Sequence, residues 1–426
     1  MIAQRNPTGP ARTGASEAAR NRADDVVDVD PLLLPADDPD ATARMSPEDY
    51  DWYTAAGLDK NDEAELRDEH FQAEHSALAL VLRADQLEVA VVAGHGEVIA
   101  RQVSARIDGL WDDPAAAMGE LRERVAEVLH AIDVIDPLRL AGIGVAVDGQ
   151  VNARTGDVSF TTADQPELPI ALRDMLNEEF AVAADQSAER IRLLSTGAAV
   201  GAAEHWRGAA VGRPNALILQ LDDTIEGALV LDGELLTGPT GNAGRIGHIS
   251  VDPYGPECRC GGRGCLQAIA GGAAIVDWAI GHGSARKPTA HRSPGPGATV
   301  RPAAAAGAGG AARELLPHAD VLGVAAAARR GDPVALATFR RAGEAIGQAL
   351  AGAVTLLDLD VVVLAGALAG VGPVLFDPIA DGYECYAALP YASGPRIIPA
   401  VLGADAASIG AAAGLLARGC VPQRPS

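Results

Sequence analysis

Short apolar segments alternate with amphipathic segments along most of the chain. Largely apolar runs between polar or glycine-containing turns predict a pair of strands within Ala77–Val92, then strands at Val98–Gln102, Leu140–Val147, Ile191–Leu194, Leu217–Leu221, Ala228–Leu231 and Val361–Ala365. Helices are predicted at Pro114–Ile132, Leu168–Phe180, Ala198–Trp206, Pro333–Leu357 and Ala406–Ala417. Because strands and helices alternate, the pattern predicts an α/β fold.

Two segments lack this pattern. Residues 1–76 contain 18 Asp and Glu but only 7 Lys and Arg, together with many Pro and Ala. Since low hydrophobicity with high net charge does not offset the entropy lost on ordering, we expect this acidic arm to be mostly disordered. Residues 283–312 are rich in Gly, Pro and Ala and are predicted to form a flexible insert between two helices.

Composition and charge narrow the class of protein. The 426 residues carry a formal net charge of −23, of which −11 lies in residues 1–76. The sequence pI of about 4.7 argues against general affinity for phosphate backbones, so no direct nucleic-acid binding is expected. No apolar run approaches the roughly 18 residues of a membrane span, and the first residues lack the apolar stretch of a signal peptide. We therefore expect a cytoplasmic protein without membrane attachment.

One cluster of metal-binding residue types stands out. His248, Cys258, Cys260 and Cys265 lie within 18 residues and include three of the five cysteines of the chain. Zinc prefers four nitrogen or sulfur ligands at a tetrahedral site, and the glycines between Cys260 and Cys265 allow the backbone to bend around an ion. With four protein ligands no position remains for a catalytic water, so we predict a structural zinc ion. Chance clustering and a redox pair are the alternatives.

The same segment resembles the signature of the ROK family of bacterial sugar kinases and sugar-responsive repressors. That signature reads G-x-x-G-H, a spacer, and C-x-C-G-x-x-G-C-x-E. The chain has GRIGH at residues 244–248 and CRCGGRGCLQ at residues 258–267. Residues 145–158 and 229–248, and the C-terminal helix, strand and closing helix, are also similar to the family, so the resemblance covers residues 77–417.

The resemblance implies a fold, a ligand class and an assembly. The implied fold is a two-lobed, actin-like and ribonuclease-H-like ATPase fold, with sugar and nucleotide in the cleft. Residues 77–197 and 406–420 would form the N-terminal lobe, and residues 198–405 the C-terminal lobe with the zinc motif. A sugar or sugar derivative is the expected ligand, and a homodimer is the expected assembly. The acidic arm stands where the repressors carry a winged helix, and it is a candidate for binding a protein partner.

The kinases of the family need two phosphate-binding turns, and the resemblance indicates that both are altered here. Residues of the first turn, Asp-x-Gly-x-Thr in the kinases, correspond to Val81, Arg83 and Asp85. Residues of the second, Gly-Thr-Gly-x-Gly in the kinases, correspond to a segment containing Asp222, Asp223, Thr224 and Glu226. Glycine lets backbone N–H groups approach a phosphate closely, and carboxylates repel it. ATP with magnesium is therefore not an expected cofactor. Ordinary hairpin-turn residues would also explain the second segment.

The general base of the kinases is the Asp of an Asn-Asp pair, which orients the attacking hydroxyl. One register, counted back from Glu204, places Ser195 and Thr196 at that pair, and threonine does not act as a base at neutral pH. A second register keeps a carboxylate at Asp185 but needs extra residues before the next strand. We prefer the Thr196 register, which leaves the chain without this base.

The candidate ligand pocket consists of Thr196, Arg245, His248 and Gln267. Arg245 and Gln267 stand where the family has glutamates, and His248 in relatives both binds zinc and faces the sugar. Arg245 changes its part of the pocket from an acceptor to a cationic donor. Two interpretations remain open for Arg245, an ion pair with an acid of the 222–226 segment or a solvated arginine.

Two functions from different classes agree with these residues. The preferred one is a non-catalytic, sugar-sensing or regulatory protein, similar to the transcriptional regulators but without a recognisable DNA-binding domain. The alternative is an ATP-dependent hexose kinase, similar to a glucokinase, that uses Asp185 as its base. A DNA-binding repressor is a third hypothesis, but it requires a basic recognition helix that we do not find in the sequence.

Overall fold

A computed structural model describes residues 75–83, 86–105, 107, 113–132, 134, 140–159, 169–182, 190–283, 321–387 and 394–417. All of these residues belong to one compact unit, His70–Ser426. The predicted acidic arm apart from its last two residues, the predicted insert apart from Gly283, and the candidates Asp85 and Asp185 lie outside the described residues.

The described residues form twelve strands and nine α-helices. The strands are β1 (Ser76–Leu82), β2 (Gln86–Ala93), β3 (Val98–Ala105), β4 (Ile143–Val147), β5 (Gln150–Val151), β6 (Val158–Ser159), β7 (Ile191–Ser195), β8 (Ala216–Leu221), β9 (Ile225–Leu231), β10 (Glu234–Leu235), β11 (Val361–Ala365) and β12 (Arg396–Pro399). The helices are α1 (Pro114–His130), α2 (Leu172–Glu179), α3 (Thr196–Arg207), α4 (Leu266–Ala270), α5 (Gly272–Gly283), α6 (Val321–Arg329), α7 (Pro333–Leu357), α8 (Pro373–Tyr386) and α9 (Ala406–Leu416). None of these helices is both long enough and apolar enough to span a membrane.

Two five-stranded sheets have the same strand order. The first sheet runs β3-β2-β1-β4-β7, and the second runs β10-β9-β8-β11-β12. In each sheet the first three strands along the chain form an antiparallel meander, and the other two are added in parallel beside the first strand. The predicted α/β class is confirmed, and the repeated topology agrees with the actin-like fold that the resemblance implies.

Helices cover both sheets and fill the space between them. One buried cluster joins Leu78 of the first sheet to Leu172 of α2. A second cluster places α3 and α9 between the sheets, with Ala79 on one side and Ile218 on the other. A third cluster packs α4 to α8 against the second sheet around Phe339. Both faces of the central strands β1, β4, β8 and β11 are therefore buried, which explains why these strands read as continuous apolar runs.

The layer between the sheets is built from small residues. A Cβ atom on Gly410 of α9 would collide with the carbonyl oxygen of Ala199 in α3, so glycine permits this close approach. The fully buried Glu204 of α3 accepts hydrogen bonds from the backbone N–H groups of Ala209 at 2.8 Å and Leu402 at 3.0 Å. Burial raises the pKa of this carboxyl, and the N–H groups oppose the shift. These contacts tie α3 to the segment before α9.

Most predicted elements are present, with shifted ends. α7 and β11 have the predicted bounds. The helix predicted from Ala198 begins at Thr196, because the side chain of Ser195 caps it by accepting a hydrogen bond from the Ala198 N–H at 3.2 Å. α8, which contains Pro378, and β12, an edge strand that ends at Pro399, were not predicted from the sequence. Proline in both segments weakens the local signal for regular structure.

Candidate ligand and metal sites

Three strands of the first sheet end side by side at its carboxyl edge. β1, β4 and β7 are parallel neighbours, and their last residues are paired in register. The residues that follow these strands, Arg83, Asp148 and Thr196, therefore form a row across the edge. We call these three residues the edge row.

Side chains of the edge row contact one another. Thr196 Oγ1 donates a hydrogen bond to Asp148 Oδ1 at 2.5 Å. Arg83 Nη1 lies 3.9 Å from the same oxygen. Thr196 is 1% exposed, whereas the Asp148 side chain is 38% exposed. The edge row thus presents a carboxylate to solvent between a cation and a buried hydroxyl group.

Glu226 reaches from β9 to the N-terminus of α3. Its Oε2 accepts a hydrogen bond from the Gly197 N–H at 2.7 Å, where the positive end of the helix dipole favours a carboxylate. A Cβ atom at position 197 would lie only 2.5 Å from Glu226 Cβ, so glycine is needed there. Burial raises the pKa of Glu226, and the charge of Arg245 opposes this shift. Glu226 and Gly197 are therefore fitted to each other.

Neutral groups bind the guanidinium of Arg245. It donates hydrogen bonds to the carbonyl oxygen of Gly149 at 2.6 Å and to Asn242 Oδ1 at 3.3 Å. Among the described residues it forms no ion pair within 4.0 Å with the acids of the 222–226 segment. Its side chain is also partly buried, so it is not a solvated arginine. Its charge acts on Glu226, whose pKa it lowers, without a direct ion pair.

Asp222 stabilises the turn between β8 and β9. Its Oδ1 accepts a hydrogen bond from the Ala367 N–H at 2.6 Å, and its Oδ2 accepts one from Gln220 Nε2 at 2.7 Å. Both oxygens therefore bind groups of the second sheet and of the segment after β11. The neighbouring Asp223 is exposed. These contacts favour the hairpin-turn interpretation for Asp222.

The four predicted metal ligands lie together. The ligand atoms of His248, Cys258, Cys260 and Cys265 are all within 4.8 Å of one another. His248 is the last residue of a short 3₁₀ helix, and Cys265 directly precedes α4. The intervening turn is closed by a hydrogen bond from the Cys258 N–H to the carbonyl oxygen of Gly262 at 2.8 Å.

The backbone around this cluster needs glycine, as the sequence analysis predicted. Gly264 has a φ of +66°, and a Cβ atom there would collide with the carbonyl oxygen of Asp252. Burial and the charge of Arg245 lower the pKa of His248. The neutral imidazole that this shift favours is the form that binds a metal.

The distances and chemistry of the cluster fit a tetrahedral metal ion. Cys260 Sγ lies 3.6 Å from Cys265 Sγ, and Cys258 Sγ lies 3.7 Å from His248 Nδ1. Zinc–sulfur bonds of about 2.3 Å give a tetrahedron with edges of about 3.7 Å. Burial and the neighbouring thiols raise the pKa of Cys265 to about 12, whereas the Gly262 N–H lowers that of Cys260. A bound cation would offset the repulsion among the thiolates.

The residues of the candidate ligand pocket have different surroundings. Thr196 and Arg245 both contact the segment 148–149. His248 turns its Nδ1 toward the metal cluster. Gln267 Oε1 accepts a hydrogen bond from the Ile225 N–H at 3.4 Å, next to Glu226 at the start of β9. The structure therefore places Thr196 and Arg245 against the same segment, residues 148–149. His248 instead contacts the metal cluster, and Gln267 contacts the start of β9.

Two side-chain contacts of this region were not predicted from the sequence. The hydrogen bond between Thr196 and Asp148 joins residues 48 positions apart, and the one between Gly197 and Glu226 joins residues 29 positions apart. Neither contact follows from local spacing. A carboxylate directly after a buried strand was the available signal for Asp148, because neighbouring parallel strands bring such residues to one edge.

Solved structures share this fold, and two of them illustrate its range. One is a ROK family glucokinase from Streptomyces griseus in complex with glucose and AMPPNP, with a TM-score of 0.61, 21% identity, and coverage of 79% of this chain and 98% of that chain. The other is a ROK family transcriptional regulator, a homologue of the E. coli MLC protein, with a TM-score of 0.62, 20% identity, and coverage of 87% of this chain and 93% of that chain. The likeness defines the class of fold, which enzymes and regulators share.

Sequence comparison gives the family. The sequence model of the ROK family matches residues 84–418. The chain is 27% identical to the glucokinase of Thermotoga maritima over 290 residues, which correspond to 68% of this chain and 83% of that enzyme. The chain belongs to the ROK family.

Proposed function

We propose that this chain is a sugar-sensing or regulatory member of the ROK family that does not use ATP. The contact between Glu226 and Gly197 carries the proposal. In the resemblance to the kinases, Glu226 stands where the second phosphate-binding turn has glycine. Its carboxylate binds the Gly197 N–H at the start of α3. A triphosphate in this part of the cleft would meet a carboxylate where the kinases offer glycine backbone.

Electrostatic repulsion supports this proposal. Burial raises the pKa of Glu226, but the charge of Arg245 and the Gly197 N–H oppose this shift and favour the ionised carboxylate. Two unit charges 4 Å apart interact by about 4 kcal/mol at an effective dielectric constant of about 20. A phosphate group that approached ionised Glu226 would be repelled by an energy of this order.

The altered first turn is a second, independent argument. Val81 takes the place of the aspartate of the kinases and is fully buried in β1. Arg83 takes the place of a glycine and directs its guanidinium toward Asp148. A buried valine offers no oxygen ligand for magnesium, and a long side chain at position 83 hinders the close approach of phosphate to the backbone.

We propose that the Cys3His cluster binds a structural zinc ion. All four ligands belong to the protein, so no coordination position is left for a reacting water. The ion would hold together His248, the turn that contains Cys258 and Cys260, and Cys265 at the start of α4. This role is compatible with either a catalytic or a regulatory function of the cleft.

The proposed ligand is a neutral hexose. The relative from Thermotoga maritima is a glucokinase, and the structure from Streptomyces griseus contains glucose. These relatives also support the alternative function, an ATP-dependent hexose kinase. That alternative needs a carboxylate base, which in the second register is Asp185, outside the described residues.

Thermal unfolding of the full chain, combined with an assay for ADP, tests the proposal. We expect D-glucose or another neutral hexose to raise the melting temperature, and ATP with magnesium to leave it unchanged. We expect no ADP formation that depends on the sugar. A rise of several degrees with millimolar ATP, or sugar-dependent ADP formation, would favour the kinase. Metal analysis of the same sample should find stoichiometric zinc.

A further inference from the structure

We infer that Asp148 is the residue that accepts a hydrogen bond from a hydroxyl group of the sugar. The inference rests on the proposed function, because it assigns the acceptor within the same sugar site. The kinases of the family carry a carboxylate at the position of Thr196. In this chain the carboxylate instead belongs to Asp148, directly after the neighbouring strand β4.

The register of the first sheet places the two positions side by side. Val147 at the end of β4 pairs with Ser195 at the end of β7, and Asp148 and Thr196 directly follow these paired residues. Adjacent strands lie about 4.8 Å apart. The hydroxyl group of Thr196 spans this gap to Asp148 Oδ1 at 2.5 Å. A carboxylate at position 148 therefore lies within one strand spacing of a carboxylate at position 196.

The surroundings of Asp148 suit an acceptor for a sugar hydroxyl. An ionised carboxylate accepts hydrogen bonds and does not donate them, whereas a sugar hydroxyl is a ready donor. The Asp148 side chain is 38% exposed, while its partner Thr196 is buried. Arg83, at 3.9 Å, supplies a compensating positive charge. Thr196 and Arg83 are positioning residues that hold the carboxylate at the open edge.

The carboxylates of the β8–β9 region have structural contacts or lie on an exposed turn. Glu226 Oε2 accepts the Gly197 N–H, and Asp222 uses both oxygens within the second sheet and its adjoining segment. Asp223 is exposed on the β8–β9 turn. Among the described residues that directly follow the parallel strands of the first sheet, Asp148 is the one with a carboxylate.

The charge of Asp148 also indicates which sugars bind. A free hydroxyl group can donate to the carboxylate. A phosphate ester at the same oxygen would remove the donor and add negative charge beside Asp148. We therefore expect a neutral hexose to bind more tightly than the same hexose phosphorylated at the contacted hydroxyl.

Calorimetric titration of the full chain with D-glucose tests the assignment. Asp148→Asn keeps the shape but removes the charge, so we expect about tenfold weaker binding or more. The matched control is Asp157→Asn, because Asp157 also accepts a hydrogen bond from a threonine, Thr155, at 2.7 Å. Asp157→Asn should leave the affinity unchanged.

A relocation variant provides a second test. Asp148→Ala/Thr196→Asp returns the carboxylate to the position that the kinases use, and it should recover most of the affinity lost in Asp148→Ala. Alanine at position 148 keeps the backbone N–H that donates to the carbonyl oxygen of Leu82 at 3.0 Å. Thr196→Ser, which keeps the hydroxyl, should bind more tightly than Thr196→Val.

The outcomes separate the inference from the proposed function. If the wild-type chain binds D-glucose and Asp148→Asn binds it equally well, the inference is wrong and the proposed function stands. If the wild-type chain binds no neutral hexose, both are wrong. A melting curve checks that each variant is folded. If Asp148→Asn is unfolded, recovery of affinity in the relocation variant decides for the inference, and no recovery decides against it.

Discussion

In the first sheet, the residues after three parallel strands contact one another at a partly exposed edge, with Asp148 between Arg83 and Thr196. In the second sheet, Asp222 follows β8, and both of its carboxylate oxygens accept hydrogen bonds from neighbouring parts of the same fold. The two sheets have the same strand order. The difference therefore comes from the side chains: one edge exposes a carboxylate to solvent, and the other uses a carboxylate to stabilise its turn.

Loss of a metal ligand should produce the largest effect, and it should act on the region of the second sheet. Cys258 is 8% exposed and contributes one of the four ligand atoms. We expect Cys258→Ala to abolish zinc binding and to lower the free energy of unfolding by on the order of 4 kcal/mol, because loss of a structural metal is among the most damaging changes. Metal analysis and thermal unfolding measure these effects.

Hydrogen exchange sharpens this comparison. In Cys258→Ala, we expect the backbone amides from His248 to α4 to lose protection from hydrogen exchange. The amides of β1, β2 and β4 should keep it. Cys385→Ala, which changes an exposed cysteine outside the cluster, is the control and should keep both zinc and stability. Equal destabilisation by the two variants, or a wild-type chain purified without metal, would contradict the structural role of the cluster.

Removal of the Asp222 side chain should produce an intermediate effect. Asp222→Ala leaves the Ala367 N–H and the Gln220 amide without their acceptor, so we expect a loss of about 2 kcal/mol in the free energy of unfolding. Asp223→Ala, at an exposed position, should change it by less than about 0.5 kcal/mol. Urea denaturation measures both values. If Asp148→Ala is as destabilising as Asp222→Ala, the proposed contrast between the two edges is wrong.

The smallest effect should be a dependence on pH that arises from Glu226. Burial raises the pKa of Glu226 in the folded chain, Arg245 lowers it, and Asp148 and Asp222 raise it. The folded state then binds the proton of Glu226 more tightly than the unfolded state does. Protonation of Glu226 therefore stabilises the folded chain at low pH, and this contribution is lost as the pH rises above 4.5, the ordinary pKa of a glutamate. Glu226→Gln lacks this titration.

The stability of Glu226→Gln relative to wild type should therefore increase between pH 4.5 and neutral pH. Denaturation at a series of pH values measures the difference, in which titrations common to both proteins cancel. A constant difference would show that the carboxyl of Glu226 has the same pKa in the folded and unfolded chains.

The sequence alone was sufficient where the signal is local. Apolar runs marked β11 and α7, and the spacing of Cys258, Cys260 and Cys265 with His248 marked the metal cluster. It was insufficient where proline interrupts an element, as in α8 and β12. It also did not reveal contacts that depend on strand register, such as the one between Thr196 and Asp148, because these residues are distant along the chain and become neighbours only when β4 and β7 pair.

The contacts of Arg245 show a further limit of prediction from the sequence. Because opposite charges attract, an arginine in place of the family's glutamate suggested an ion pair with the acids of the 222–226 segment. In the structure, its guanidinium instead donates hydrogen bonds to the Gly149 carbonyl oxygen and to Asn242 Oδ1. Charge indicates which partners are favourable, but backbone geometry decides which of them lie within reach.

The packing of α9 has a consequence for the order of events during synthesis. α9 contacts β1, β4 and α3, and Ser408 Oγ donates to the buried Glu88 Oε1 at 2.6 Å. Since β7 ends at Ser195 and α9 begins at Ala406, the first sheet leaves the ribosome long before the helix that covers its inner face. The earliest sheet to be translated is thus among the last parts to be completed, and its apolar face depends until then on protection from aggregation.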